Sequence, residues 1–365
     1  MNRLERLVLD RLQAAGGWLA FDDFMSMVLY EPGLGYYSRG GQVLGHFPSD
    51  RSDFVTAPEM SPIFGAVLAR QVAQALRATG THTVLEFGAG SGALAGQILD
   101  ALNHEMGVLL KYKIVEISSA LRARQHARLA RFGDQVEWLD SLPDDIEAVM
   151  LGNEVLDALP VKLLHWDGNK WFERGVVGFD SSGEARFSWS DRSTHLRPPF
   201  DHDQWVPGTV TEIHPHAKAW VKTIGERLRR GAIFLVDYGF GDSEYYHPQR
   251  LGGTLMCHRL HRSDADPLGL IGEKDITAHV NFTGVALAAQ DVGLQVLGYT
   301  SQARFLINCG IAEFLESADM PSRNLALRLV NEHEMGELFK VIGFCDANHS
   351  FDAIGFGIGD RTHRL

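Results

Sequence analysis

Short apolar runs alternate with stretches of helical periodicity along most of the chain. From residue 83 to residue 154 the order is strand, helix, strand, helix, strand and strand, which is typical of a parallel sheet with helices on both faces. A buried run at 231–238 resumes this pattern after an interruption, and one of the last two strands is expected to pair antiparallel. The predicted strands are 83–87, 112–116, 136–140, 148–153, 231–238, 294–299, 338–345 and 351–358. The pattern therefore predicts an α/β fold.

Two regions depart from this alternation. Leucines and charged residues recur at helical spacing over 3–15, a second helix covers 21–29, and an aromatic segment follows at 30–37. Residues 161–213 instead carry the pattern of strand pairs, with a hairpin turn at Gly168. We therefore predict an N-terminal cap or substrate extension at 1–60, the first half of an α/β core at 61–160, a β-rich insertion at 161–215, and the second half of the core with helical and strand additions at 216–365.

Charge and composition exclude several classes of protein. The 365-residue chain has a net charge of −12 and scattered basic residues, so it lacks the basic face of a nucleic-acid-binding protein. No apolar run approaches the ~20 residues of a membrane span, and the acidic N-terminus does not resemble a signal or transit peptide. We therefore expect a cytoplasmic protein with no membrane span.

The cysteines and histidines do not form a recognisable metal or disulfide pattern. Cys257, Cys309 and Cys345 are widely spaced, which is unlike a zinc ribbon or a disulfide framework, and we expect reduced thiols. The histidine pairs at 214–216 and 258–261 lack further ligands at metal spacing. No metal site is predicted.

The most informative segment is a buried strand that ends in a glycine-rich loop and leads into a helix. Gly88, Gly90 and Gly92 follow the strand 83–87, and the helix begins at about Ala93. Glycines allow a tight turn and let a ligand approach main-chain N–H groups. Gly88, Gly90 and Ala93 also fit a variant of the dinucleotide fingerprint, so an NAD-dependent oxidoreductase remains an alternative at this point.

Two acids indicate a nucleoside ligand, and one of them favours a sulfonium nucleoside over a dinucleotide. Glu86 lies two residues before the first glycine, where dinucleotide-binding proteins usually have a small or apolar residue, and its carboxylate suits the ammonium group of S-adenosylmethionine. Glu116 closes the next strand and can accept both ribose hydroxyls, because a carboxylate has two accepting oxygens. Glu116 supports nucleoside binding without separating the two cofactors.

Three polar residues follow the fourth predicted strand. Asn153, Glu154 and Asp157 lie at its carboxyl end, where open α/β sheets bind their ligands. Asn153 is predicted to border the cofactor and orient a substrate nitrogen, while Glu154 and Asp157 bind a guanidinium or accept a proton. The alternative is a helix N-cap with solvated acids.

Four more residues are weaker candidates. Asp140, at the end of the third strand, is placed to bind the adenine amino group, although a solvated strand-end acid explains it equally well. Thr56 and Glu59 precede the sheet and are predicted to cover the cofactor, and His279 lies on the expected substrate side. A capped helix start is the alternative for the 56–59 segment and for His279.

Together these segments resemble the MidA family, whose mitochondrial members are complex I assembly-factor protein arginine methyltransferases. The resemblance covers about residues 15–360 and rests on six motifs in one order, at 30–37, 53–59, 86–92, 153–160, 234–239 and 275–282. It implies the class I methyltransferase fold, a Rossmann-like seven-stranded sheet with an antiparallel last strand, and S-adenosyl-L-methionine as methyl donor with S-adenosyl-L-homocysteine as product.

The resemblance also implies a protein substrate carrying an arginine, with symmetric dimethylation of a respiratory complex I subunit as the family precedent. Glu154 would bind the guanidinium and Asp157 would act as helper or base. The chain departs from the family at Asn281, where an acidic residue is common, so a different target protein is one expectation. A non-catalytic assembly factor that retains the cofactor site is a further alternative, and a homodimer is left open.

Overall fold

The computed structural model describes residues 1–39, 55–105, 110–179, 185–200 and 205–365; Asp53 and Phe54 of the 53–59 motif lie outside these residues. The strands in chain order are β1 (Leu19–Ala20), β2 (Thr83–Phe87), β3 (Lys111–Val115), β4 (Val136–Leu139), β5 (Ile146–Asn153), β6 (Lys162–Trp166), β7 (Trp171–Phe179), β8 (Ala185–Ser193), β9 (Val210–Ile213), β10 (Leu228–Phe240), β11 (Met256–Arg259), β12 (Arg262–Asp264), β13 (Asp275–Thr277), β14 (Val280–Asn281), β15 (Gln295–Ser301) and β16 (Phe339–Cys345).

The α-helices are α1 (Arg3–Ala14), α2 (Phe21–Tyr30), α3 (Ala57–Met60), α4 (Pro62–Thr79), α5 (Ala93–Glu105), α6 (Ser119–Leu129), α7 (Pro215–Arg227), α8 (Asp242–Tyr245), α9 (Phe282–Asp291), α10 (Gln302–Asn308), α11 (Ile311–Ser317) and α12 (Met320–Val330). In the described part of the chain, no helix is both long and apolar enough to cross a bilayer.

The central sheet has the order β15-β16-β10-β5-β2-β3-β4, and β14 pairs with the end of β10 as an eighth strand. Strands β10, β5, β2, β3 and β4 are parallel, whereas β16 is antiparallel to both of its neighbours. Phe87 is paired with Val115 on one side and with Gly152 on the other. The carboxyl ends of β3, β2 and β5 therefore lie side by side at one edge of the sheet.

The predicted strand at 351–358 is wrong. Residues Ile354–Phe356 form a short 3₁₀ turn instead, and Asn308 donates hydrogen bonds to two carbonyls of this segment. The Phe356 ring lies directly over Gly298 and Gly343, where an added Cβ would clash with it. Covering this part of the sheet with an aromatic ring stabilises the turn, and the pattern of apolar residues alone does not reveal that long-range contact.

Both faces of the central sheet are covered by helices. Val84 and Phe234 belong to the core that α4, α5, α10 and α12 cover, whereas their neighbours Leu85 and Leu235 belong to the core under α7 and α9. Successive side chains of a strand point to opposite faces. This explains why the strands are nearly continuous apolar runs.

The N-terminal helices pack against the β-rich region rather than against the central sheet. The antiparallel order is β1-β7-β6-β9, with β8 paired to β7, and the hairpin between β6 and β7 forms around Gly168 as predicted. Phe24 of α2 and Val176 of β7 lie in one apolar cluster, and Lys162 of β6 bonds to Asp22 of α2 at 2.9 Å. This packing carries the aromatic segment 30–37 to the carboxyl edge of the central sheet, where Tyr30 donates to the carbonyl of Ala158 at 2.7 Å.

Candidate active site

A cavity of about 500 Å³ lies at the carboxyl ends of β3, β2 and β5. Its size falls in the range of about 300–1,000 Å³ that is usual for small-molecule sites. With strands about 4.8 Å apart, the cavity spans about 10 Å from the end of β3 to the end of β5. Of the predicted residues, the lining includes Thr56, Glu59, Glu86, Gly88, Gly90, Glu116, Asn153 and Glu154.

The glycine-rich loop forms the floor of this cavity. Gly88, Gly90 and Gly92 have φ of 60°, 54° and 82°, a left-handed conformation that favours glycine. The Gly88 N–H donates to the carbonyl of Val115 at 3.1 Å, which fixes the loop to the neighbouring strand. Gly92 lies under the loop, close to Leu129 and Gln125, and is not part of the lining; its contribution is to the turn.

Glu86 is a buried acid at the middle of the cavity. One of its oxygens accepts a hydrogen bond from the Tyr112 hydroxyl at 2.6 Å. Within the described residues, the other oxygen accepts no hydrogen bond. Burial, opposed by the Tyr112 bond and aided by Glu116, raises the pKa of Glu86 to about 7. A cationic group in the cavity would stabilise the ionised form of this carboxylate.

Glu116 is held by a side chain that the sequence did not single out. Gln125 of α6 donates to Glu116 at 3.0 Å and to the Gly90 carbonyl at 2.9 Å, and accepts from the Trp138 indole at 2.9 Å. The Ser118 N–H also donates to Glu116, at 2.8 Å, while burial raises the pKa of this acid. Gln125 thus connects the ends of β2, β3 and β4.

Glu154 lies at the opposite end of the cavity, after β5. Its φ of 55° is left-handed, which costs about 1–2 kcal/mol for a residue with a Cβ. Burial and the nearby Asp157 raise the pKa of Glu154 to about 8, against the lowering effect of hydrogen bonds from Asn153 and the Ala57 N–H. The Asn153 amide donates to Glu154 at 3.1 Å. Its buried oxygen has no hydrogen-bond partner among the described residues, which leaves an acceptor for a ligand.

Asp237, at the end of β10, holds the Glu154 loop. One of its oxygens accepts the backbone N–H groups of Val155, Leu156 and Asp157 at 3.2, 2.9 and 3.3 Å. Burial, together with Asp157 and Glu154, raises the pKa of Asp237, whereas the loop N–H groups lower it. The strained Glu154 backbone is therefore imposed by a neighbouring strand.

Asp157 lies behind Glu154 rather than on the cavity wall. It accepts a short hydrogen bond from the Tyr238 hydroxyl, and burial raises its pKa to about 6. Its second oxygen is buried and has no hydrogen-bond partner in the part of the chain that the structure describes. Asp157 contributes a buried acid next to Glu154.

Two tyrosines of the N-terminal aromatic segment complete this end of the cavity. Tyr30 and Tyr37 both line it, and their rings stack with centroids 5.6 Å apart. Tyr37 donates to Asp275 at 2.8 Å, which brings a further buried acid. The sequence showed the aromatic motif but gave no signal that it would lie beside Glu154.

The 56–59 segment lies against the glycine-rich loop. Glu59 accepts from the Ser91 hydroxyl and, at 3.0 Å, from Arg128 of α6. Thr56 lines the cavity at the start of α3. The segment forms one wall of the cavity.

Asp140, His279 and Asn281 lie outside the cavity lining. The Asp140 side chain is 90% exposed and paired with Arg122 at 2.6 Å. His279 packs between Tyr238 and Phe240, and burial lowers its pKa to about 4. Asn281 is the buried N-cap of α9 and also donates to Asp242. A role of Asp140 at adenine and of His279 at the substrate stays a prediction to which this geometry adds nothing.

The family is shown by sequence comparison. Residues 67–300, more than half of the chain, match the family described as "Putative S-adenosyl-L-methionine-dependent methyltransferase". The chain belongs to this methyltransferase family. The NAD-dependent alternative is thereby ruled out.

Solved structures and curated relatives agree with this assignment. A COG1565 superfamily member from Burkholderia thailandensis was solved bound to S-adenosyl-homocysteine and is 46% identical in sequence to this chain. The two structures have a TM-score of 0.93, and the match covers 99% of this chain and 96% of the Burkholderia chain. The "Protein arginine methyltransferase NDUFAF7, mitochondrial" of Homo sapiens is 28% identical and aligns with 88% of this chain and 79% of its own. The Caenorhabditis elegans homologue is also 28% identical and aligns with 85% of this chain and 77% of its own length.

The residues of the cavity fit this cofactor. Positive φ at Gly88 and Gly90 opens the floor, Glu86 has an oxygen to offer an ammonium group, and Glu116 lies one strand away for ribose hydroxyls. The cofactor supplies an activated methyl group on its sulfonium. The fold is that of an α/β methyltransferase, with a mixed sheet and helices on both faces.

Proposed function

We propose that this methyltransferase methylates an arginine side chain of a protein substrate. The observation that carries the proposal is the acidic end of the cavity, where Glu154 lines the wall and Asp157, Asp237 and Asp275 lie buried behind it. Burying several acids together is costly unless a cation shares the site. The relatives named protein arginine methyltransferases support the same substrate class.

Glu154 is the residue that would hold the guanidinium. A carboxylate and a guanidinium form paired, charge-assisted hydrogen bonds, and arginine stays protonated in proteins. A bound guanidinium would lower the pKa of Glu154 from about 8 by opposite charge. Substrate binding is then coupled to loss of the Glu154 proton at neutral pH.

Methylation of a guanidinium releases one proton, because the product carries the same charge as the substrate. We assign acceptance of that proton to Glu154, which is ionised once the guanidinium is bound. Burial, which sets its pKa near 8 in the absence of a bound cation, keeps the carboxylate basic enough to accept a proton. Asp157 acts as helper: its negative charge raises the pKa of Glu154. Glu86 and Glu116 bind the ammonium and the ribose of the cofactor, and Asn153 borders both ligands.

Several finer expectations stay proposals. They are the class I arrangement of seven strands with β14 as an addition, the four-region division of the chain, a complex I subunit as the target, symmetric dimethylation, a cytoplasmic location and a homodimer. The alternative of a non-catalytic assembly factor makes a different prediction in the test below.

The test is transfer of labelled methyl from S-adenosylmethionine to a cell extract, followed by mass spectrometry of the modified residues. We expect label on arginine, and Glu154→Gln to lower kcat/KM by about 100-fold, as expected for a lost charged contact of about 3 kcal/mol. Affinity for S-adenosylhomocysteine should change little. Glu147→Gln, an exposed acid at the other end of β5, is the control. Label on another residue type, or none, would overturn the proposal.

A further inference from the structure

A second cavity, of about 610 Å³, lies beside the acidic end of the cofactor cavity. It is bounded by the end of α1, by β1, by one face of α2 and by the start of the aromatic segment. Ser26 and Tyr30, one helical turn apart on α2, line both cavities. The two cavities therefore adjoin along a shared wall at the end where Glu154 lies. We call the second cavity the α1–α2 groove.

The sequence of α2 explains why this groove exists. Phe21, Phe24, Met25 and Val28 are buried in the apolar cluster of the N-terminal layer. The residues at 23, 26, 27 and 30 have the i, i+3, i+4, i+7 spacing of one helix face, and all four line the groove. On the opposite wall, Ala14 and Ala15 at the end of α1 are small and exposed, so the space between the helices stays open.

The groove has the length of a short peptide segment. From position 23 to position 30, α2 rises about 10 Å at 1.5 Å per residue. An extended chain covers that distance with about three residues at about 3.3 Å each. An arginine at the middle of such a segment would lie beside Ser26 and Tyr30, where its side chain can pass toward Glu154.

The charges along the groove favour a basic segment. Asp23 is exposed in the first turn of α2, and Glu31 is partly exposed just after the end of that helix. Among the described residues that line the groove, Arg11 on the opposite wall is the one basic side chain. The Tyr30 ring at the shared wall offers an aromatic face to a passing guanidinium.

We propose that the α1–α2 groove holds the extended segment of the protein substrate that flanks the target arginine, and that it selects basic neighbours. The proposal rests on the arginine methyltransferase function proposed above. It assigns Asp23 and Glu31 to substrate selection, and Ser26 with Tyr30 to the passage into the cavity.

The experiment uses a peptide library in which one central arginine is flanked by three randomised residues on each side. The full-length enzyme methylates the library with S-adenosylmethionine, and the methylated peptides are sequenced. We expect lysine and arginine to be enriched in the flanks with the unchanged enzyme. The double variant Asp23→Lys, Glu31→Lys should enrich aspartate and glutamate instead, a reversal that misfolding cannot produce.

Two further variants complete the test. Asp10→Lys, an exposed acid on α1 outside the groove, should keep the original flank preference. Ser26→Phe should narrow the passage and lower kcat/KM for the peptides by at least about tenfold, a loss of roughly 1.4 kcal/mol. An identical flank profile in the double variant would overturn the groove proposal alone. Absence of arginine methylation by the unchanged enzyme, in both the extract and the library, would overturn the proposed function and this inference with it.

Discussion

Replacing Asp237 by asparagine tests whether the loop that carries Glu154 must be held in its strained form. One Asp237 oxygen accepts three loop N–H groups, and the other accepts the N–H of Tyr238 at 3.0 Å. An asparagine has a single oxygen. Whichever way the amide turns, at least one of these N–H groups then faces an NH₂ group instead of an acceptor.

The magnitude follows from the hydrogen bonds involved. Three bonds to a charged acceptor contribute about 1.5–3 kcal/mol each, whereas bonds to a neutral acceptor contribute about 0.5–1.5 kcal/mol. The restraint on the loop thus falls by several kcal/mol, which exceeds the strain of about 1–2 kcal/mol stored at Glu154. Removing a buried charge offsets part of the cost to the whole protein, so we expect a loss of about 1–2 kcal/mol in unfolding free energy.

The catalytic effect should be larger than the effect on stability. Once the loop relaxes, Glu154 moves, and a misplacement of about 1 Å typically costs about 100-fold in rate. The assay is kcat for methyl transfer, with calorimetric affinity for S-adenosylhomocysteine and urea unfolding of the same samples. Affinity for the product should change by less than about threefold, or roughly 0.7 kcal/mol.

Asp346 provides a matched control. It is also a buried acid, and it accepts the N–H of Gly231 at 2.9 Å and of Asn348 at 3.0 Å, but near the start of β10, at the opposite edge of the sheet. Asp346→Asn should cost stability and leave kcat unchanged. A kcat for Asp237→Asn equal to that of the Asp346→Asn control would refute the reasoning.

Three further predictions concern charge and the cofactor. Because burial raises the pKa of Glu86 to about 7, calorimetric affinity for S-adenosylhomocysteine should rise from pH 6 to pH 8 and then level. Glu86→Gln should weaken this binding by about 2 kcal/mol and flatten its pH dependence. A variant that keeps the wild-type pH dependence would contradict this assignment. Gln125→Leu removes one of the donors to Glu116 and the side-chain donor to the Gly90 carbonyl, so affinity for S-adenosylhomocysteine should fall by about tenfold or more. Unchanged affinity would show that this connection is dispensable. Because the pKa of Glu154 is raised to about 8, the folded state keeps a proton that the unfolded state has lost. The unfolding free energy of the cofactor-free protein, measured with urea, should therefore fall as pH rises from about 5 to 8, and fall less steeply in Glu154→Gln. A steeper fall in the variant would contradict the assignment.

Local patterns predicted the strands and the glycine-rich loop because apolar runs and glycines act over a few residues. Strand ends in a parallel sheet lie at one edge, so Glu86, Glu116 and Glu154 could be placed in one cavity from strand order. The structure confirms that these three residues line the same cavity.

The remaining parts of the site depend on contacts that no local pattern encodes. Tyr30 lines the same cavity as Glu154 because α2 packs on the β-rich region. Asp237 bonds to the Glu154 loop across more than 80 residues of sequence. Asp140 is a strand-end acid that pairs with Arg122 at the surface, and its role at adenine stays a prediction.

The most direct test of the account is a crystal structure of the enzyme with S-adenosylhomocysteine and an arginine-bearing peptide. The account predicts the product's ammonium group on Glu86, its ribose hydroxyls on Glu116, and the peptide guanidinium within hydrogen-bond distance of Glu154, about 2.7–3.2 Å. A guanidinium bound away from Glu154, or a nucleoside bound outside the cavity at β3, β2 and β5, would contradict it.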